Sequence, residues 1–235
     1  DLRPVLQERL AARLAALEID SLAGYWELLQ GPGGAEELKI LENGVLLIDI
    51  SRFFRTGRLW QFLLAAVLPG LVQQCAAAGE VCRCWVMGCG LGEEVYSLKA
   101  CWELGLSHLE GPRPALAVVV SELSAAGVRF AKEGEYRATT NIRKTRQKAW
   151  AAWESGGAET FREVPEPWLR QMFTTLPSGS VRITKRLRRQ IQWRAESWEA
   201  PLEDPGWLEE VGGPFHLILG RHGPFFYTDR ARPAA

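Results

Sequence analysis

Residues 81–104 read VCRCWVMGCGLGEEVYSLKACWEL, and the fold follows from them. The run 81–87 is apolar apart from Arg83, the pattern of a strand buried on both faces. Gly88-Cys89-Gly90-Leu91-Gly92 then makes a tight turn, since glycine reaches backbone angles closed to other residues. The segment from Glu93 places Tyr96, Leu98, Cys101 and Leu104 near 3.6-residue spacing and so predicts a helix. A second continuous apolar strand, ALAVVV, follows at 115–120, then the helical LSAAGVRFAKEG, and later a third buried strand, FHLILG, at 215–220. Alternating buried strands and helices predict an α/β, doubly wound, mostly parallel sheet.

Outward from this centre, residues 1–45 predict a small helical lead-in. Leu6, Leu10, Leu14 and Leu17 share one face, and Asp20 or Ser21 can cap a second helix, LAGYWELLQ, that stops at Gly31-Pro32. A short helix AEELKILE and an apolar run VLLIDI come next. Residues 46–235 then form the main domain, entered through an apolar helix over 59–78 that should kink or break near Pro69. Within it, residues 137–194 hold 13 Lys/Arg against 4 Glu and read as a basic insert, with a helix-like stretch at 141–156 and a polar/apolar alternation at 181–193.

The 235 residues balance 28 basic against 28 acidic side chains, so whole-molecule attraction to nucleic acid is not expected. The longest apolar run, 62–72, contains Pro69 and is too short for a bilayer span. No basic stretch followed by an apolar one opens the sequence, so no secretory signal is expected. Five cysteines, an odd and sparse set, suit free thiols in the cytoplasm. Cys82 and Cys84 lack a second pair or histidine at ligand spacing, and no metal is expected.

The glycine turn carries the chemistry. The next strand ends in Ser121-Glu122, and a carboxylate there can accept both hydroxyls of a ribose. A dinucleotide would set its pyrophosphate on the helix that follows the turn. That helix opens with Glu93-Glu94, which repels phosphate and suits the sulfonium and ammonium of S-adenosylmethionine.

These residues resemble the chemotaxis receptor methyltransferases, the CheR family of protein-glutamate O-methyltransferases. Trp85-Val86-Met87-Gly88-Cys89-Gly90-Leu91-Gly92-Glu93-Glu94-Val95-Tyr96-Ser97-Leu98 is similar to its Trp-x-x-Gly-Cys-x-x-Gly-Glu-Glu-x-Tyr-Ser-Leu pattern. ISRFFR (50–55), SELSAAGVRFAKEGEY (121–136), IQWRAESWEAP (191–201) and FHLILGRHGPFFYTD (215–229) resemble further family blocks in the same order. The resemblance implies methyl transfer from S-adenosylmethionine to a carboxylate, a glutamate in the family, of a protein acceptor that docks on the insert 137–194.

Arg55 and Glu122 would be catalytic, with Arg55 positioning the substrate. Asp49, Ser51, Arg55, Gly88, Gly90, Glu94, Glu122, Ser197, Arg221 and His222 would line the cofactor. Several of these depart from the family pattern: Asp49 and Ser51 stand for Asn and Thr, Glu122 for Asp, Ser197 for Asn and His222 for Asn. Phe226 stands for a tyrosine, with Tyr227 adjacent. A module that keeps the fold and binds the cofactor without turnover is the alternative reading.

Overall fold

A computed structural model describes residues 3–41, 52–136 and 158–221. The chain divides into two compact units, Asp1–Ile50 and Ser51–Ala235.

In the first unit, helices α1 (Arg3–Ala16), α2 (Leu22–Gln30) and α3 (Gly34–Ile40) follow one another as expected. Ser21 caps α2, its hydroxyl accepting from the Gly24 N–H. The three helices meet at Glu37, which accepts from the Arg13 guanidinium and, at 2.7 Å, from the Tyr25 hydroxyl. Arg13 holds the Glu37 carboxyl below the usual range, while burial pushes the Tyr25 phenol up to about 12.

Among the described residues the second unit is built on a four-stranded parallel sheet, β1 (Cys82–Met87), β2 (Leu116–Glu122), β6 (Ile191–Ala195) and β7 (Leu217–Gly220), in the order β6-β2-β1-β7. Strand β7 pairs with the side of β1 away from β2, so the winding reverses at β1. Open α/β sheets form their ligand crevice outside the carboxyl ends of strands at such a reversal. Connecting helices α6 (Glu93–Ala100) and α7 (Ala125–Glu133) pack on β2. One core contains Leu98, Val118 and Val120; a second, smaller one packs Trp85 at a tilt against Trp207 with ring centroids 4.9 Å apart.

Three expectations change. The helix through Pro69 is not broken: α4 (Gly57–Phe62) runs through a π-helical turn at Leu63–Val67 into α5 (Leu68–Ala78). The widened turn, in which the Leu68 N–H reaches the Leu63 carbonyl, absorbs the proline that cannot donate. The resulting 22-residue helix is long and apolar enough to cross a membrane by length and composition, but Trp60, Leu63, Leu68, Val72 and Cys75 face the protein core.

The insert also has other limits. A small antiparallel sheet already begins at β3 (Glu135–Tyr136) and continues in β5 (Val181–Ile183) and β4 (Phe173–Thr175), fed by helix α8 (Glu166–Met172). Residues 191–194 belong instead to β6 of the main sheet, because Ile191 pairs with Val118. The alternation over 181–193 therefore spans two sheets. The expected helix at 141–156 and the run VLLIDI lie outside the described residues. Two further short helices are α9 (Ala200–Glu203) and α10 (Trp207–Glu210).

Candidate active site

At the end of β1 the Gly88 N–H donates to the Ser121 carbonyl (2.8 Å), and the chain then turns through Gly88, Gly90 and Gly92 at φ +75, +55 and +96. The outer glycines serve different needs. A Cβ on Gly92 would stand 2.9 Å from the Ala131 Cβ, whereas one on Gly88 would meet nothing within 4 Å. Gly92 is therefore a packing glycine, and Gly88 faces open space.

Glu122, at the tip of β2, folds its carboxylate onto this turn. Oε2 accepts from the Cys89 and Gly90 N–H groups at 3.0 and 2.9 Å, and Oε1 accepts from the Ser124 N–H at 3.0 Å. The extra methylene relative to aspartate gives it that reach. Glu122 thus organises the turn, and Oε1, with one hydrogen bond, retains acceptor capacity.

Glu94 is the second residue of α6. Its Oε1 is buried without a hydrogen-bond partner, and Arg221 Nε stands 3.5 Å from it. Burial dominates the nearby positive charge of Arg221 and Arg55 and pushes the carboxyl up to about 7. Desolvation of the charged form thus outweighs two neighbouring guanidinium groups.

Arg55 lies on a loop with unusual backbone. Phe54 and Thr56 adopt φ +55 and +63, a region costly for non-glycine residues. Four contacts hold it there. The Phe54 N–H donates to the Ser97 hydroxyl (2.9 Å), the Trp60 indole N–H to the Arg55 carbonyl (3.0 Å), Arg221 Nη1 to that same carbonyl (2.9 Å), and Arg221 Nη2 to the Thr56 hydroxyl (3.0 Å). Glu163 closes the outer side by accepting from Arg52 Nε (2.7 Å) and from the Gly57 N–H (3.1 Å). Phe53 and Phe54 anchor the loop in the core. Burial and the neighbouring Arg52 and Arg221 lower the Arg55 pKa.

The structure therefore brings Arg55, Glu94 and Arg221 together. Arg221 also staples the Arg55 loop. Ser197 turns its hydroxyl to the Glu199 N–H (3.1 Å). Asp49, Ser51, His222, Phe226 and Tyr227 lie outside the described residues.

Sequence reasoning missed Ser97, Thr56, Trp60, Tyr136 and Glu163. Ser97 was within sight, inside the quoted motif. The Tyr136 hydroxyl donates to the Leu91 carbonyl (2.8 Å), pinning the turn from the small sheet. Glu163, 111 residues from its partner Arg52, gave no local signal. Trp168 packs edge-on against Phe54.

One cluster of potential metal ligands occurs among the described residues: donor atoms of Cys75, Cys82 and His216 lie within 4.8 Å of one another. His216 Nδ1 accepts the Arg83 N–H (3.1 Å), which puts the ring proton on Nε2, and burial pushes the Cys75 thiol up to about 11.

Residues 49–163 match the family model described as CheR methyltransferase, SAM binding domain. The chain is 26% identical over 230 residues to chemotaxis protein methyltransferase 2 of Vibrio cholerae, covering 98% of this chain and 69% of that protein. It is 29% identical over 193 residues to an uncharacterized 104.1 kDa protein of Rhodobacter capsulatus, covering 81% of this chain but 17% of that protein. A chemotaxis protein methyltransferase of Listeria innocua shares 28% over 124 residues, 52% of this chain and 43% of its own length. The matched span, just under half of the chain, contains the glycine turn, both acids that meet at it and the loop that carries Arg55; on that correspondence the chain resembles the CheR methyltransferases as a divergent relative.

Proposed function

We propose that this chain binds S-adenosylmethionine and transfers its methyl group to a carboxylate, a glutamate side chain, of a protein acceptor. The observation that carries the reading is Glu94: a buried carboxyl held at about 7, with an oxygen lacking a hydrogen bond, next to a turn that opens to space at Gly88. A cationic ligand without phosphate fits that donor set, and a dinucleotide does not, because its pyrophosphate would meet Glu93 and Glu94. When bound, the cofactor supplies an electrophilic methyl carbon on a positively charged sulfur.

The chain's own residues supply position and charge. Glu94 faces the cation. Glu122 holds the turn and keeps an acceptor on Oε1 for a hydroxyl. Arg55, on its stapled loop, grips one carboxylate oxygen of the acceptor and leaves another lone pair to attack, a role suited to a planar guanidinium. An ionised carboxylate is already a nucleophile near neutral pH, so no general base is required. The positive charge of 137–194 supports acceptor docking there, and the free thiols of all five cysteines support a cytoplasmic setting.

The second reading, a binding module without turnover, draws on the three backbone N–H groups that Glu122 already holds and on the substitutions at Asp49, Ser51, Ser197 and His222. Calorimetry with S-adenosylmethionine, S-adenosylhomocysteine and NAD, joined to a methyl-transfer assay on candidate acceptors, separates the two. Tight S-adenosylmethionine binding with base-labile methylation supports transfer. Binding with no methylated acceptor selects the module, and NAD binding alone refutes both.

A further inference from the structure

At the opposite end of the sheet from the glycine turn lies a cleft of about 780 Å³. Its walls come from the end of α6, the loop that enters β2 and the turn that enters β6, so it sits at the amino ends of the strands. The seven residues of β2 separate it from the candidate active site by about 20 Å. Lys99, Arg113, Arg186 and Arg189 line it, against a single carboxylate, Glu103.

Among the described residues, one carboxylate, Glu103, faces these four cations and acts on both Arg186 and Lys99. Lys99 is 1% exposed, and its ammonium donates once, to the Leu116 carbonyl at 2.9 Å, leaving two of its three N–H donors without a partner among the described residues. Arg113 Nη1 donates to the Trp102 and Glu103 carbonyls (2.9 and 3.1 Å) and meets no carboxylate among the described residues. Arg186 Nε pairs with Glu103 Oε2 at 2.9 Å. Arg189 forms no ion pair among the described residues and is exposed at the rim. Burying an ammonium with unspent donors is costly unless an anion completes it.

We propose that this cleft binds a small phosphate-bearing polyanion of the di- or triphosphate class. Its volume suits a small molecule, and a buried lysine in a concave wall is out of reach of a convex protein surface. Four cations against one acid match a ligand carrying about three negative charges. Guanidinium edges and an ammonium are the donors that phosphate oxygens favour. The inference is independent of the methyl-transfer reading and assigns part of the basic character of 137–194 to a ligand site.

The test is calorimetry of the full chain with sodium tripolyphosphate at low ionic strength. Saturable one-site binding is expected, weakened about tenfold or more by Arg189→Glu, while Arg129→Glu, the same charge change on α7, leaves it within about twofold. Arg189→Glu should keep the wild-type melting temperature, since the side chain has no partner to lose. Three results overturn the proposal: no saturable binding, equal loss in the two variants, or displacement of triphosphate by S-adenosylmethionine. Citrate binding as tightly as triphosphate would refute the phosphate assignment.

Discussion

Glu94 should make S-adenosylmethionine affinity depend on pH. In the folded protein its carboxyl sits at about 7 against an ordinary 4.5, because burial outweighs Arg221 and Arg55. Below pH 7 the ligand-free site is protonated, and a cation needs the carboxylate, so binding must expel a proton. If the bound cation returns the group to 4.5, affinity at pH 6 is roughly tenfold, and at pH 5 roughly 80-fold, below its plateau at high pH. Calorimetry at pH 6 in two buffers of different ionisation enthalpy should count release of roughly 0.9 proton per cofactor. Glu94→Gln should flatten the profile and abolish the release.

Stability carries the same signature with the opposite sense. A folded pKa above the unfolded value means that the folded chain holds the proton longer, so the contribution is present below pH 4.5 and is lost as pH rises through 7. At pH 8, without ligand, Glu94→Gln should therefore be more stable than wild type by up to about 3 kcal/mol. A wild-type affinity that is flat between pH 5.5 and 8, or a glutamine variant with the wild-type slope, would refute the reasoning.

Arg55→Ala should slow methyl transfer by about 100-fold while changing cofactor affinity by less than about threefold; equal losses in the two quantities would remove its positioning role. Gly92→Ala combines a left-handed backbone with a 2.9 Å contact to Ala131 and should cost about 2–4 kcal/mol in urea denaturation. Gly88→Ala, open at Cβ, should cost about 1 kcal/mol yet weaken the cofactor more than Gly92→Ala does in the folded fraction, and the reverse order would move the crevice elsewhere. Ser97→Ala should cost about 1–3 kcal/mol by leaving the Phe54 N–H unsatisfied, and it should lower turnover by loosening the Arg55 loop; unchanged turnover would separate the loop from catalysis.

Much of the site was readable because it is local. Strand, turn and helix fall within 24 consecutive residues of the sequence, and glycines at positive φ with acids behind them announce themselves in order. Apolar strands long enough to be buried on both faces likewise predicted the parallel sheet. The Phe-Phe-Arg segment was legible as two core anchors before a guanidinium. What could not be read is where polar groups spend their hydrogen bonds.

The sequence by itself determined which segments become strands and helices, and which residue types gather at one end of the sheet, because periodicity and backbone freedom are properties of neighbours. Tertiary structure decided the rest. It turned Glu122 onto the turn amides, made Arg221 a staple across 166 residues to Arg55, and placed Glu163 under the same loop. It also raised Glu94 to about 7. Burial and hydrogen-bond partnership depend on which distant segments share a neighbourhood, and no local pattern records that.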